Sequence, residues 1–275
     1  FRSINLWAPF HADDYFQQLL LRGDTALQRD DASIHGLFSF IDQSAENREQ
    51  LHRYGVLPWF ADPSFYFRFF RPIAELSHHV DAMFAPQSAA FAHAHSIVWF
   101  VLVCLALSFL LKQQFSATPA LIVLALAIFA WDGQHVATIH WVANRNALIA
   151  AFFAIWALYF FIRLDGKDAL NKGLSTLFFV LALLASESAV ALIFYLVLYQ
   201  LLLAEVTKLK RLMAFSPFVI VLVLWQFFYR LQGFGADTGQ GLYLDPIADF
   251  PEFIIACLQR FPVYFTAALL PMPAG

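Results

Sequence analysis

Seven long apolar runs, separated by short polar connectors, constrain this chain more than any other feature. They lie at about residues 94–111, 118–131, 146–162, 173–185, 188–204, 212–229 and 253–270. Most approach the roughly 20 residues that an α-helix needs to cross a bilayer. Hydrophobic residues make up 60% of the chain and charged residues only 13%, which is unlike the composition of soluble domains. The sequence therefore predicts an all-α, multi-pass membrane protein.

Residues 1–93 contain no run long enough to span a membrane and mix carboxylates, histidines and aromatic residues. We expect them to form a large first outer loop domain with short amphipathic helices near 17–21 and 45–54. Residues 94–275 then form a bundle of about seven spans. The aromatic segments 57–60 and 65–70 are compatible with two placements, the membrane interface or an ordinary aromatic core.

Basic residues indicate which connectors share a side of the membrane. As one helix, residues 173–204 would reach roughly 48 Å, beyond a hydrocarbon core of about 30 Å, so we expect a hairpin near Ser186. One side, taken as cytoplasmic, then holds Lys112, Arg163, Lys167, Lys172, Lys208, Lys210 and Arg211, as the positive-inside rule predicts. The loop domain and residues 132–145 and 233–252 fall on the outer side of what we expect to be a bacterial inner membrane.

Several partner and cofactor classes are disfavoured. A net charge of −3 without a basic stripe argues against nucleic acid. Cys104 and Cys257 lie inside apolar runs, which indicates neither a disulfide framework nor a zinc site. A histidine-rich segment lacks a recognised spacing of metal ligands, so no metal site is predicted there; its residues are His78, His79, Asp81, His93 and His95.

Four polar groups near the predicted span ends are candidates for chemistry. The adjacent Asp13 and Asp14 could supply a general base or hold a cation, or they could cap a helix. Arg71, next to Pro72, could bind a phosphate or neutralise lipid headgroups.

The other two groups lie further along the chain. An outer connector carries His135 and ends in Arg145, a cation at a helix start, where the helix dipole disfavours it. Arg145 either has a specific anionic partner or reaches to the headgroups. Glu187 lies between two apolar runs and either serves a functional site or caps the following helix.

Taken in order, these motifs resemble those of GT-C glycosyltransferases. Asp13-Asp14-Tyr15, Phe69 to Ile73 and the following residues Asp81 and His93 resemble the first outer loop of that superfamily. The segment from His135 to Arg145 is similar to the protein O-mannosyltransferase-like branch. Residues 183–190 resemble the leucine-rich run of that branch, with Ser186 where lysine is usual.

The resemblance implies a transferase that uses a polyprenyl-phosphate-linked sugar at the outer face of the membrane, in protein glycosylation or cell-envelope assembly. Asp13 or Asp14 would be the catalytic base, with slightly more support for Asp14. Arg71, His135, Arg145 and Glu187 would bind the substrate. The donor lipid, membrane lipids and a protein or glycan acceptor are the implied partners. No cofactor is implied, and a divalent metal stays open.

Family members have a span before this loop and several after residue 275, so we expect a fragment whose own activity is in doubt. Two other interpretations stay open: a non-enzymatic transporter or flippase of lipid-linked sugars, and a degenerate GT-C scaffold. If the transferase interpretation holds, residues far apart in sequence should converge around one outer-face cavity: Asp13, Asp14, Arg71, Arg145 and Glu187.

Overall fold

The computed structural model describes residues 6–22, 36–41, 44–55, 57–115, 118–163, 169–202, 208–237, 244 and 249–269. Within these residues the chain is predominantly helical, as predicted. The first part contains α1 (Ala12–Leu21), β1 (Ser39–Ile41), α2 (Ala45–Arg53), β2 (Tyr66–Arg68) and α3 (Pro72–Phe84). Then come α4 (Ala89–Gln114), α5 (Pro119–Trp131), α6 (Gln134–His140), α7 (Arg145–Ile162), α8 (Ala169–Ala185), α9 (Ala191–Leu202), α10 (Lys208–Leu231), β3 (Gly235–Asp237) and α11 (Phe250–Leu269).

Three of the described helical segments are long and apolar enough to cross a membrane: Ala89–Gln114, Val142–Ile162 and Met213–Leu231. A fourth span arises if α5 and α6, which bend by 63° at their junction, cross together. All seven apolar runs of the sequence contain a helix. By length and composition, however, the described helices give three or four spans rather than about seven.

Successive helices of the bundle run in opposite directions. The hydroxyl of Ser175 on α8 donates to the carbonyl of Ala157 on α7 at 2.6 Å, while Ala185, at the end of α8, packs with Ile149 near the start of α7. The rings of Phe161, at the end of α7, and Tyr199 on α9 lie 6.3 Å apart. The chain therefore reverses between α8 and α9, as predicted near Ser186.

The basic connectors meet at one end of this bundle. Lys172, near the start of α8, donates from Nζ to the carbonyl of Met213 near the start of α10 at 2.7 Å. Arg163 follows the end of α7, and Lys112 lies near the end of α4, which runs parallel to α7. We call this the basic end and the other the loop end.

A small sheet and α1 pack at the loop end. The strand order is β1-β2-β3, with both pairs antiparallel. Because β3 follows α10, the sheet joins the first part of the chain to the segment after that helix. The sheet is an addition to the predicted all-α fold. Helix α1 packs against the 3₁₀ turn Val142–Asn144 that precedes α7.

Helix α3 lies across the loop end and contacts three bundle segments in turn. Arg71, at its N-terminus, pairs with Glu187 after α8. Ser77 accepts a hydrogen bond from Arg145 at the start of α7, and Asp81 contacts His95 on α4. This helix therefore brings the predicted site residues of three distant segments towards one another.

Candidate functional site

Arg71 and Glu187 form an ion pair at the loop end. Pro72 occupies the first helical position of α3, where its missing N–H costs no helical hydrogen bond. The helix therefore begins directly after Arg71. Both Nε and Nη2 of Arg71 bond to Oε2 of Glu187, at 2.8 and 2.7 Å. The side chains are 16% and 23% exposed, so the pair is mostly covered by protein but part of its surface is accessible to solvent.

Tyr229, on α10, completes this cluster. Its hydroxyl donates to Oε1 of Glu187 at 2.7 Å, so both carboxylate oxygens are engaged. Tyr229 was not predicted from the sequence, where its only signal is a tyrosine near the end of an apolar helix, a common place for one. Glu187 does not cap the following turn. The side chain of Ser186 does so by accepting from the amide of Ser188 at 3.4 Å.

Two aromatic rings hold the Arg71 guanidinium. Its central carbon lies 4.2 Å from the ring centroid of Phe69 and 5.0 Å from that of Phe38, within the range of cation–π attraction. Among the described residues, Nη1 of Arg71 has no hydrogen-bond partner. The cluster therefore presents one free donor edge of a fixed guanidinium at the loop end.

Asp14 is buried and fixes α1 to the bundle. Its Oδ1 accepts from the amide of Ala143 at 2.6 Å, and Oδ2 accepts from the amide of His11 at 2.9 Å. The second bond closes the first turn of α1, where an acidic residue also suits the helix dipole. Burial raises the pKa of Asp14 from its ordinary value, although the amides of His11 and Ala143 oppose that rise. Asp14 is therefore already fully engaged within the fold.

Asp13, its neighbour, is half-buried and makes no hydrogen bond within the described part of the chain. Burial raises the pKa of its carboxyl group, since partial desolvation disfavours the charged form. A carboxylate with a raised pKa and open lone pairs is a better proton acceptor than one that is fully bonded. Of the two carboxylates predicted as catalytic, Asp13 is the accessible one.

Arg145 is completely buried, and its guanidinium joins three helices. It pairs with Oδ2 of Asp81 at 2.6 Å and donates to the hydroxyls of Ser96 and Ser77, each at 3.0 Å. Nη2 donates to the carbonyl of Ala92 at 2.8 Å. Arg145 thus has a specific anionic partner, one of the two predicted possibilities, and that partner is Asp81. The sequence alone did not indicate Asp81 as this partner.

Asp81 also fixes the histidine beside it. Its Oδ1 lies 2.5 Å from Nδ1 of His95, and the indole N–H of Trp99 donates to Nε2 of His95 at 3.2 Å. Because Nε2 accepts, Nδ1 carries the hydrogen that His95 donates to Asp81. Nearby, burial together with the positive Arg145 holds the pKa of His78 well below its ordinary value. The described residues contain no group of three or more His, Cys, Asp or Glu able to hold a metal.

His135 lies apart from these residues. Its ring packs 4.4 Å from the centroid of Phe129 and 5.1 Å from that of Phe100, between α4 and α5. The remaining predicted residues fall into two groups joined by α3. Arg71 and Glu187 meet at its start, while Arg145 binds near its middle, and Asp14 is close enough to Arg145 to interact electrostatically.

The Arg71–Glu187 pair joins two segments that carry the GT-C resemblance, and Asp13, less buried than Asp14, lies on α1 at the same end of the molecule. Comparison with protein-family models, with curated proteins and with solved structures gives no match to this chain.

Proposed function

We propose that the chain is a GT-C-like glycosyltransferase that moves a sugar from a polyprenyl-phosphate donor to a protein or glycan acceptor at the outer face of a bacterial inner membrane. The observation that carries this proposal is the contact between Arg71 and Glu187. These residues are 116 positions apart and come from two separate motifs of the resemblance. Their pairing at the loop end supports a shared task for those motifs.

Arg71 is the residue proposed to bind the donor phosphate. Glu187 and the two flanking rings fix its plane, and Nη1 remains to donate to a phosphate oxygen. As the glycosidic bond to the lipid phosphate breaks, negative charge develops on the phosphate, and a fixed, poorly hydrated guanidinium stabilises that charge. Glu187 is then a positioning residue that acts through Arg71.

Asp13 is proposed as the general base. The acceptor oxygen attacks the anomeric carbon, its proton passes to the Asp13 carboxylate, and the polyprenyl phosphate leaves with the electron pair of the broken carbon–oxygen bond. The raised pKa of the Asp13 carboxyl group favours its accepting this proton. Asp14 and Arg145, buried and fully bonded, hold α1 and α3 in place in this scheme. His135 has no assigned contact with the donor.

The proposal includes a membrane topology. All seven apolar helices cross the bilayer in it, with the loop end outward and the basic end in the cytoplasm. The antiparallel order of α7, α8 and α9 and the gathering of basic residues at one end support this topology. The shorter spans α8 and α9 contribute to the protein-lined core around Phe179 and Leu196.

The test is an assay of sugar transfer from a labelled polyprenyl-phosphate sugar, using the protein expressed from its complete gene and reconstituted in lipid. Asp13→Asn should lower turnover by roughly 10²- to 10⁴-fold with donor binding kept, because an amide cannot take up the proton. Arg71→Ala should weaken donor binding as well as rate.

Glu49→Gln is the matched control, since Glu49 is an exposed carboxylate paired only with Arg53 on the surface. Its activity should equal that of the unaltered protein. Wild-type turnover in Asp13→Asn would refute the assignment of the base. Donor binding without any transfer by the unaltered protein would favour a transporter or scaffold instead.

A further inference from the structure

Helix α3 has its polar and apolar sides reversed relative to a helix on the surface of a soluble protein. Its buried side chains are Ala74 and four polar residues: Glu75, Ser77, His78 and Asp81. Its most exposed side chains are apolar, with Leu76 61%, Met83 75% and Phe84 71% exposed. An exposed apolar side of this kind indicates contact with something other than water.

The apolar residues of α3 form a continuous stripe. At 3.6 residues per turn, the side chains of Leu76, Val80, Met83 and Phe84 project within about 100° of one another. Ile73, in the first turn, instead packs against the buried cluster that contains Phe38 and Ile149. No charged residue interrupts this stripe. A helix with one apolar and one polar side is suited to an interface between two media.

The contacts of the polar side fix the direction of the apolar stripe. Arg71, just before α3, is paired with Glu187, and Asp81, nearly three turns further on, is paired with Arg145 and His95. With both ends of the polar side bonded to the bundle, the apolar stripe must face away from it.

The stripe adjoins a surface that belongs to the longest candidate span. On α4, Phe91 and Val98 are the helical neighbours of His95, which contacts α3, and they are 37% and 54% exposed. Their exposed surface continues down α4 through Val101 and Leu105. Lipid that covers this side of α4 therefore reaches the stripe of α3.

We propose that α3 is an interfacial helix, lying across the bundle with its apolar stripe in the acyl-chain and headgroup boundary of the outer leaflet. Its partner is the lipid surface itself. The inference requires the chain to lie in a membrane and does not require it to be a transferase. Since Arg71 directly precedes α3, this placement also holds the guanidinium at the depth of lipid phosphates.

The test measures solvent accessibility on the complete protein in vesicles of phosphatidylethanolamine and phosphatidylglycerol. Cys104→Ala and Cys257→Ser remove the native thiols, and spin labels are attached at Leu76→Cys or Met83→Cys. Val101→Cys on α4 serves as the lipid-exposed reference and Glu46→Cys on α2 as the water-exposed one. Collision rates with oxygen, which enriches in lipid, and with a water-soluble nickel chelate are compared.

Both α3 positions should resemble Val101, with oxygen collisions several-fold more frequent than chelate collisions. Chelate collisions as frequent as at Glu46 would place α3 in water and overturn the proposal. Low rates with both reagents would show that a protein partner or a second copy covers the stripe, which overturns it equally. Thermal unfolding of each variant confirms that the replacements at these exposed positions leave the fold intact.

Discussion

Asp13 and Asp14 are adjacent on α1, yet their surroundings differ. Asp14 accepts two backbone hydrogen bonds, one from Ala143, which is 129 positions away. Asp13 is half-buried and accepts no hydrogen bond from the residues that the structure describes. The sequence indicates that the pair is important but slightly favours Asp14 as base. Choosing between them requires a tertiary contact, because local spacing carries no information about the distant amide of Ala143.

Asp14→Asn should destabilise the protein by about 1–3 kcal/mol, because the amide group turns a donor towards the N–H of Ala143 or His11. Asp13→Asn should leave stability within about 0.5 kcal/mol, as expected for a side chain without such bonds. Denaturant titration in mixed micelles measures both variants. Equal stabilities for the two variants would contradict the distinction drawn between these carboxylates.

Glu75 gives a prediction of pH dependence. Burial raises its pKa from 4.5 to about 7 in the folded protein, so the folded state binds the proton more tightly than the unfolded chain. The free energy of unfolding should therefore fall as pH rises from about 4.5 through 7, by about 3 kcal/mol from this group. Glu75→Gln should match the unaltered protein near pH 5 and be more stable at pH 8. Parallel stability curves would contradict the assignment.

At the scale of elements, the sequence predicts helices far better than strands. Every apolar run contains a helix because a long apolar segment in lipid must satisfy its own backbone hydrogen bonds. The strand β3 carries only Gly235, Ala236 and Asp237 and pairs with β2 through its backbone, so it has no alternating pattern to detect. The reversed polarity of α3 is visible in its sequence, but which side is buried depends on Arg145 and Glu187.

The buried pair between Asp81 and Arg145 should be essential to the packing of α3 on α4 and α7. Arg145→Met or Asp81→Asn alone should cost about 3–5 kcal/mol, because each leaves an uncompensated buried charge. The double variant should cost less than the sum of the two. The exposed pair between Arg53 and Glu49 is the control, with at most about 1 kcal/mol expected. Additive losses in the buried pair would rule out direct coupling.

At the scale of the whole molecule, the proposed topology predicts which sites outside reagents reach. Cysteines replacing Glu46 on α2 and Gln232 after α10, in a background without Cys104 and Cys257, should react with an impermeant maleimide on intact cells. A cysteine replacing Gln113, near the basic end of α4, should react only after the membrane is opened. Labelling at only one of the first two sites would contradict the joining of their segments by the sheet.

The candidate site shows how far sequence reasoning reaches. Arg71 and Glu187 were expected to converge and do so, because Glu187 follows an apolar helix that ends at the loop end, and Arg71 precedes α3, which lies across that same end. Arg145 was expected at a ligand, but the structure buries it against Asp81. Burial of an arginine with its partner depends on how three helices pack, which no local pattern encodes. The packing of His135 against Phe100 and Phe129 likewise depends on how the helices pack and not on a local sequence pattern.

The sheet at the loop end also dictates the order in which this protein can assemble. The Arg68 side chain donates to the carbonyl of Gln232, 164 positions later, and β3 pairs with β2 beside this contact. The pairing of β2 with β3 can therefore form only after α10 has been synthesised. Until then the edge of β2 presents unpaired backbone groups, a recognised route to misassociation. In the proposed topology, the segment that carries β2 is exported well before its sheet is complete, so slowed synthesis between α4 and α10 should increase its dependence on chaperones outside the membrane.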